Sequence, residues 1–393
     1  MKKGIFLILS VLLVGFGLQS PAFSKQKNFV VSILSMIRSM PDSFLEMNPG
    51  ISRRTITLQH DDGRKVKVSV WTPGPMVERK GLFRKRFVEY PLIVFSFGGG
   101  DCPFFLPDVI VNLVKERGYM LAVADHPDLV KICEIGKFGN IDLLKFIKGM
   151  ASMPSMEDVT SEEAGSPPSL NTALTDLCGD RDAANGLCSY RSADMKLIID
   201  ELIKNNRRNN PILSGIGKIN VDQIVVSGHS LGGHSAMGVA GANPLYKDNR
   251  VKGVLSIDSG SYIFEKRDIE NVDVPVMMIT SDESLLPAEL QSNTDEVPHV
   301  FYSWLRSEKY FLSIRQLSHP GFVALSCSEL TSSIAPGLDA GGACDDLGEK
   351  FGAIRQYSKA FLDHVLKHDQ AAAEFLGETA PVSDWVKDYE YSR

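Results

Sequence analysis

Gln223-Ile224-Val225-Val226-Ser227-Gly228-His229-Ser230-Leu231-Gly232-Gly233-His234-Ser235-Ala236-Met237 decides the reading of this chain. Gln223 to Ser227 is a short apolar run of the kind that forms a strand buried on both faces. Ser235 to Ala242 is small and apolar enough to continue as helix. Between them, Gly228-His229-Ser230-Leu231-Gly232 matches G-x-S-x-G, with Gly233 extending it. The five-residue pattern alone arises by chance on the order of once in ten chains of this size. Its placement on a strand-to-helix turn is what gives it meaning. Such a turn strains the serine backbone, needs small neighbours, and presents the hydroxyl at the carboxyl edge of a sheet. The helix that follows aims its amino terminus at any developing negative charge. Ser230 is therefore the candidate nucleophile.

Outward from this point, strand and helix patterns alternate. Pro91 to Phe97, Tyr119 to Ala124, Val251 to Ile257, Val274 to Thr280 and Tyr310 to Leu317 read as further strands. Leu106 to Lys115, Ser192 to Lys204 and Ala353 to Leu366 read as helices, the second with Ala193, Leu197, Ile198 and Leu202 on one face. Thr55 to His60 and Lys65 to Trp71, separated by Asp61-Asp62-Gly63, predict a hairpin. This alternation predicts an α/β protein with a mostly parallel central sheet and helices on both faces. Residues 130–190 break the rhythm with Gly, Pro, Ser and acidic residues, and predict a lid or cap insertion within one domain spanning 25–393.

Acyl transfer at Ser230 needs donors for an oxyanion, a base and an acid that orients it. Leu231, the residue after the serine, supplies one backbone N–H. The loop Phe95-Ser96-Phe97-Gly98-Gly99-Gly100 supplies the second, with Gly99 ahead of Gly98. The base must follow the last strand. Of the eight histidines only His319 stands in a loop there, in His319-Pro320-Gly321-Phe322. His60 and His126 precede the nucleophile, His229 adjoins it, and His234 opens the following helix and is expected to pack. Two aspartates end strands, Asp258 after Ile257 and Asp282 after Ser281, and either could hold the imidazole. Glu283 is a third choice. The chemistry needs no metal and no organic cofactor.

Composition narrows the setting. The chain has 393 residues and a net charge of −6, with no basic patch to recommend a nucleic-acid partner. Lys2 and Lys3 precede an apolar run from Ile5 to Leu18, and Ala22-Phe23-Ser24 has the small-x-small form of a signal-peptide cleavage site. The run is shorter than the ~20 residues a bilayer span requires. Residues 1–24 are thus expected to be an export signal, with a periplasmic or secreted destination. Cleavage would remove Lys2 and Lys3 and no acid, taking the charge from −6 to −8. Six cysteines, Cys102, Cys133, Cys178, Cys188, Cys327 and Cys344, permit disulfides in that setting, Cys178 with Cys188 being the local pair.

The segments Trp71-Thr72-Pro73, Phe95-Ser96-x-Gly98-x-Gly100, Ala122-Val123-x-x-His126, Gly228-His229-Ser230-x-Gly232-Gly233, Ile257-Asp258, Ser281-Asp282-Glu283 and His319-x-x-Phe322 occur in this order. In this combination the chain resembles the platelet-activating-factor acetylhydrolases, a group of α/β-hydrolases related to dienelactone hydrolases and lipases. The resemblance implies the α/β-hydrolase fold and places the acid at Asp258, with Asp282 as the alternative. It implies oxyanion donors at Gly99 and Leu231. It also implies a serine esterase acting on short or oxidised acyl chains of phospholipids, with peripheral contact to a membrane or micelle surface. The chain departs from that family at Phe97, where His is usual, at Gly99, where a bulkier residue is usual, and in the insertion at 130–190. Polyesters and small soluble esters are the alternative substrates, and a hydrolase fold kept only for binding is the alternative to an enzyme. Oligomeric state has no signature in the sequence.

Overall fold

The computed structural model describes residues 51–73, 77–80, 84–87, 89–98, 108–126, 187–207, 218–259, 264–283, 296–318, 322, 342–378 and 382–392. The chain opens with an antiparallel hairpin of β1 (Ser52–Gln59) and β2 (Lys65–Thr72). A separate two-stranded ribbon follows, β3 (Val77–Lys80) with β4 (Arg84–Phe87). Then come β5 (Glu89–Ser96), α1 (Asp108–Arg117), β6 (Met120–Asp125), α2 (Leu187–Arg207) and β7 (Lys218–His229). Helix α3 (Leu231–Met237) runs into a π turn at Gly238–Ala242. The remaining elements are β8 (Val251–Ile257), α4 (Lys266–Ile269), β9 (Val276–Glu283), α5 (Glu296–Trp304), β10 (Lys309–Ser318), α6 (Gly342–Lys367), α7 (Gln370–Leu376) and β11 (Val386–Ser392).

Nine strands form one sheet in the order β1-β2-β6-β5-β7-β8-β9-β10-β11. Its six central strands, β6 to β10, are parallel. The hairpin joins antiparallel at one edge through β2 and β6, and β11 joins antiparallel to β10 at the other. The sheet is thus mostly parallel, as the alternation of strand and helix predicts.

The continuous apolar strands are explained by two cores. Leu92 and Val94, Ala122 and Ala124, Ile224 and Val226 and Met278 face one core, which α2 and α3 cover with Met195, Ile198, Ile199, Leu202 and Met237. Ile93 and Phe95, Leu121 and Val123, Val225 and Met277 face the other, which α1 and α6 cover with Ile110, Leu113, Ile354, Phe361 and Leu362. Successive residues point to opposite faces, so a strand with helices on both sides must be apolar at every position.

Helix α2 buries a wider face than expected. Ala193 and Leu197 are only half-buried, while Arg191, Ser192 and Asp194 are buried. Ile198 and Leu202 are in the core and Leu197 packs against it, as expected; the apolar pattern missed the polar part of the buried face, because it counts charged side chains as outward-facing. Helix α2 also begins at Leu187, inside the expected insertion; the rest of 130–190 lies outside the described residues, as do the export signal at 1–24 and all six cysteine side chains. Strand β11 and helices α5 and α7 are elements that the pattern reading omitted. Among the described residues no helix is long and apolar enough to cross a membrane.

Candidate active site

Ser230 sits between the end of β7 and the start of α3 with φ 54° and ψ −127°. A non-glycine residue in that region costs of order 1–3 kcal/mol, which the surroundings must impose. The means are visible. Ser230 N–H donates to the Ile257 carbonyl at 3.0 Å, and the Ser230 carbonyl accepts from Gly233 N–H at 3.0 Å. A Cβ on Gly228 would lie 2.2 Å from the Gly232 carbonyl carbon, and one on Gly232 would lie 1.9 Å from the Ser96 oxygen. Both glycines are therefore required by close backbone approach. The Ser230 side chain makes no capping bond to α3, so the helix does not sequester the hydroxyl. Leu231 is the first residue of α3, and its N–H belongs to the helical turn that has no intrahelical acceptors.

Asp258 follows β8 directly, at φ 41°. Its N–H donates to the Ile279 carbonyl at 2.6 Å. Its carboxylate accepts from Ser281 N–H at 2.9 Å and from the Ser281 hydroxyl at 3.1 and 3.2 Å. Register puts His229 beside Ile257 and Ile257 beside Ile279. Ser230, Asp258 and Ser281 thus succeed one another across the carboxyl ends of three neighbouring strands. Asp282 and Glu283 close β9, with side chains outside the described residues.

His319 lies outside the described residues, as does Gly99. The residues that flank His319 are placed. Ser318, the last residue of β10, is paired with Glu283 at the end of β9. Phe322 is buried, with its ring 6.4 Å from that of His229, the residue before Ser230.

Other histidines have distinct surroundings. His234 is buried against Phe264, with stacked rings 4.0 Å apart. Burial, and secondarily the charge of Arg191, pushes its pKa down to about 3, so it stays neutral. That agrees with the packing role expected of it. His299 packs on Phe311, and His364 faces Glu308.

Beneath the loop after β5 lies a polar network that motif reading passed over. The Ser96 hydroxyl is 2.8 Å from His126 Nε2, and His126 Nδ1 is 2.7 Å from Asp194 Oδ2. Asp194 Oδ1 accepts from Arg64 and, at 2.7 Å, from His60 Nε2. Burial alone would raise the pKa of Asp194. Its hydrogen bond and charge interaction with His126, together with Arg64, outweigh this and hold it below the usual carboxylate value. Arg191 donates to the carbonyls of Phe97 at 2.5 Å and Gly98 at 3.4 Å. The spacing of Arg191 and Asp194, three apart on a helix, was the available signal for a shared face. No cluster of side chains suited to a metal occurs among the described residues.

A strained serine turn between a central parallel strand and a helix, on this strand order, is the arrangement of the α/β-hydrolase fold. No protein-family model and no curated protein matches the chain. Among solved structures it is similar to a ferulic acid esterase from Streptomyces cinnamoneus, at 17% identity and a TM-score of 0.51, over 87% of this chain and 96% of that one. At that identity the likeness speaks to the fold. The narrower resemblance to platelet-activating-factor acetylhydrolases gains no support from these comparisons.

Proposed function

We propose that the protein is a serine esterase that hydrolyses carboxylic esters through an acyl-enzyme on Ser230. The observation that carries this reading is the strained elbow, a serine at positive φ wedged between two glycines that contact backbone. Nothing in packing alone requires a serine there.

In the proposed cycle His319 takes the Ser230 proton as Oγ attacks the ester carbonyl, and Asp258 orients the imidazole. The N–H groups of Leu231 and Gly99 hold the oxyanion. The alcohol leaves with the proton from His319, and water repeats the sequence on the acyl-enzyme. Support for His319 comes from its flanks. Ser318 ends the strand beside β9, and four residues later Phe322 reaches the ring of His229. The fixed carboxylate of Asp258, one strand from Ser230, supports its choice over Asp282.

For the substrate we propose short or oxidised acyl esters of phospholipids or similar lipids, on the strength of the sequence resemblance. We further propose export by the signal at 1–24 to the periplasm or beyond. The ferulic acid esterase likeness adds esters of ferulic acid to the panel that must be tried. Purified protein should release product from p-nitrophenyl acetate, and a ranking of short-acyl phospholipid, feruloyl ester and polyester film tests the substrate class. Faster release from feruloyl ester or film than from phospholipid would reject the lipid assignment. A folded protein inert toward every ester would reject the enzyme reading.

A further inference from the structure

Ser96, His126 and Asp194 form a hydrogen-bonded Ser-His-Asp line of their own. All three are buried, at 0%, 4% and 0% exposure, and the Ser96 carbonyl is pressed against Gly232. A substrate carbonyl cannot reach Ser96, so the line is not a second catalytic triad. Its location suggests a different use. Ser96 is the last residue of β5, where the chain turns toward the substrate edge.

Two tethers converge on that turn, and both start from the first half of α2. The first runs from Asp194 through the His126 ring to the Ser96 hydroxyl. A carboxylate can only accept, so His126 Nδ1 carries a proton toward Asp194 and its ring plane is fixed. The second runs from Arg191 to the Phe97 and Gly98 carbonyls. Between them, the Ser192 hydroxyl donates to the Ser235 carbonyl of α3 at 3.1 Å. One helical turn therefore holds both chain segments that approach the reacting carbonyl: the end of β5 and the helix carrying Leu231.

We infer that Arg191, His126 and Asp194 are positioning residues that aim the backbone after β5 at the developing oxyanion. This rests on the esterase reading above. In a trans peptide the N–H points opposite to the carbonyl before it, so fixing the Phe97 carbonyl on Arg191 fixes the direction of the Gly98 N–H. Burying a guanidinium and a carboxylate at one end of a helix is costly unless each is paired. Here Arg191 is paired with the loop carbonyls, and Asp194 with the loop's anchor through His126 as well as with His60 and Arg64 of the β1–β2 hairpin, so part of the cost is offset by the loop in place.

The test compares Ser96→Ala, Arg191→Met and Arg191→Lys with the wild type. Active sites are counted by fluorophosphonate stoichiometry, so that kcat refers to competent protein. Melting temperature and affinity for a boronic acid, a mimic of the tetrahedral adduct, are measured alongside. Misplacing a donor should lower kcat by about 10- to 100-fold and leave KM within about twofold. Boronate affinity should weaken in parallel, and Arg191→Lys should recover part of the loss. Ser96→Ala deletes one oxygen, and it provides the readout should Arg191→Met fail to fold. Unchanged kcat per site, or a rise in KM alone, would overturn the inference while leaving the esterase reading intact. A wild type inert toward esters and unlabelled by fluorophosphonate would remove the reading and this inference together.

Discussion

Ser230 holds its backbone where few residues with a side chain go, and the reason is local: a hydrogen bond to Ile257 on one side and glycine contacts on both. Ser230→Ala keeps that backbone and removes only the attacking oxygen. Ester turnover should fall by about 10⁴-fold or more, as loss of a triad member commonly does, with the melting temperature nearly unchanged. Asp258→Asn should cost far more activity than Asp282→Asn, because the Asp258 carboxylate is already fixed by Ser281. Steady-state rates of the two variants decide it, and the reverse order would move the acid to Asp282. His234 gives a pH prediction. Its folded pKa is near 3, while an exposed imidazole titrates near 6.5. Between those values the unfolded chain binds a proton that the folded chain refuses, so stability is full above about 6.5 and is lost as pH falls toward 3. The loss is on the order of a few kcal/mol. His234→Phe should flatten melting temperature against pH over that window; an unchanged slope would show that His234 does not carry it. At this scale the strained turn at Ser230 was legible from its motif, and Asp258 and Asp282 from their places after strands, with only the family resemblance choosing between the two aspartates. Arg191 and Asp194 were not, because a charged side chain buried by partners distant in sequence looks like a solvated one.

The element scale ties the elbow to its neighbours. A methyl on Gly232 would strike the backbone of Ser96 and Phe97 at 1.9 to 2.7 Å. Backbone cannot swing aside as a side-chain tip can, so Gly232→Ala should separate β5 from α3 and lose both activity and soluble folded protein. Gly348, at an exposed position of helix α6, has nothing within 4 Å of the same added atom. Gly348→Ala should stabilise by about 0.5–1 kcal/mol, a rise of about 1–3 °C in melting temperature. A fall on calorimetry would mean the helix is not continuous there. The parallel strands were readable because burial on both faces demands unbroken apolar runs. Strand β11, Val-Lys-Asp-Tyr-Glu-Tyr-Ser, was missed because it lies at the sheet edge and buries only its first residue, Val386. Helix α5 was missed because Pro298 stands in its first turn, where proline is tolerated but reads as a breaker.

Across the whole molecule, the sheet brings together chain segments more than a hundred residues apart. The ends of β5, β7, β8 and β9 lie side by side because the order β6-β5-β7-β8-β9-β10 runs parallel throughout. All loops at one edge therefore come from strand carboxyl ends, and the candidate nucleophile, acid and loop anchor all lie there. The apolar helices on both faces hold that edge rigid, with α2 reaching past its own core to grip the loop. The most direct test is a fluorophosphonate probe on the folded wild-type protein, followed by peptide mapping of the adduct. One label per chain on Ser230, lost in Ser230→Ala, is the expected result. A well-folded protein that takes no label, or takes it on another residue, would contradict the assignment of Ser230 as the nucleophile.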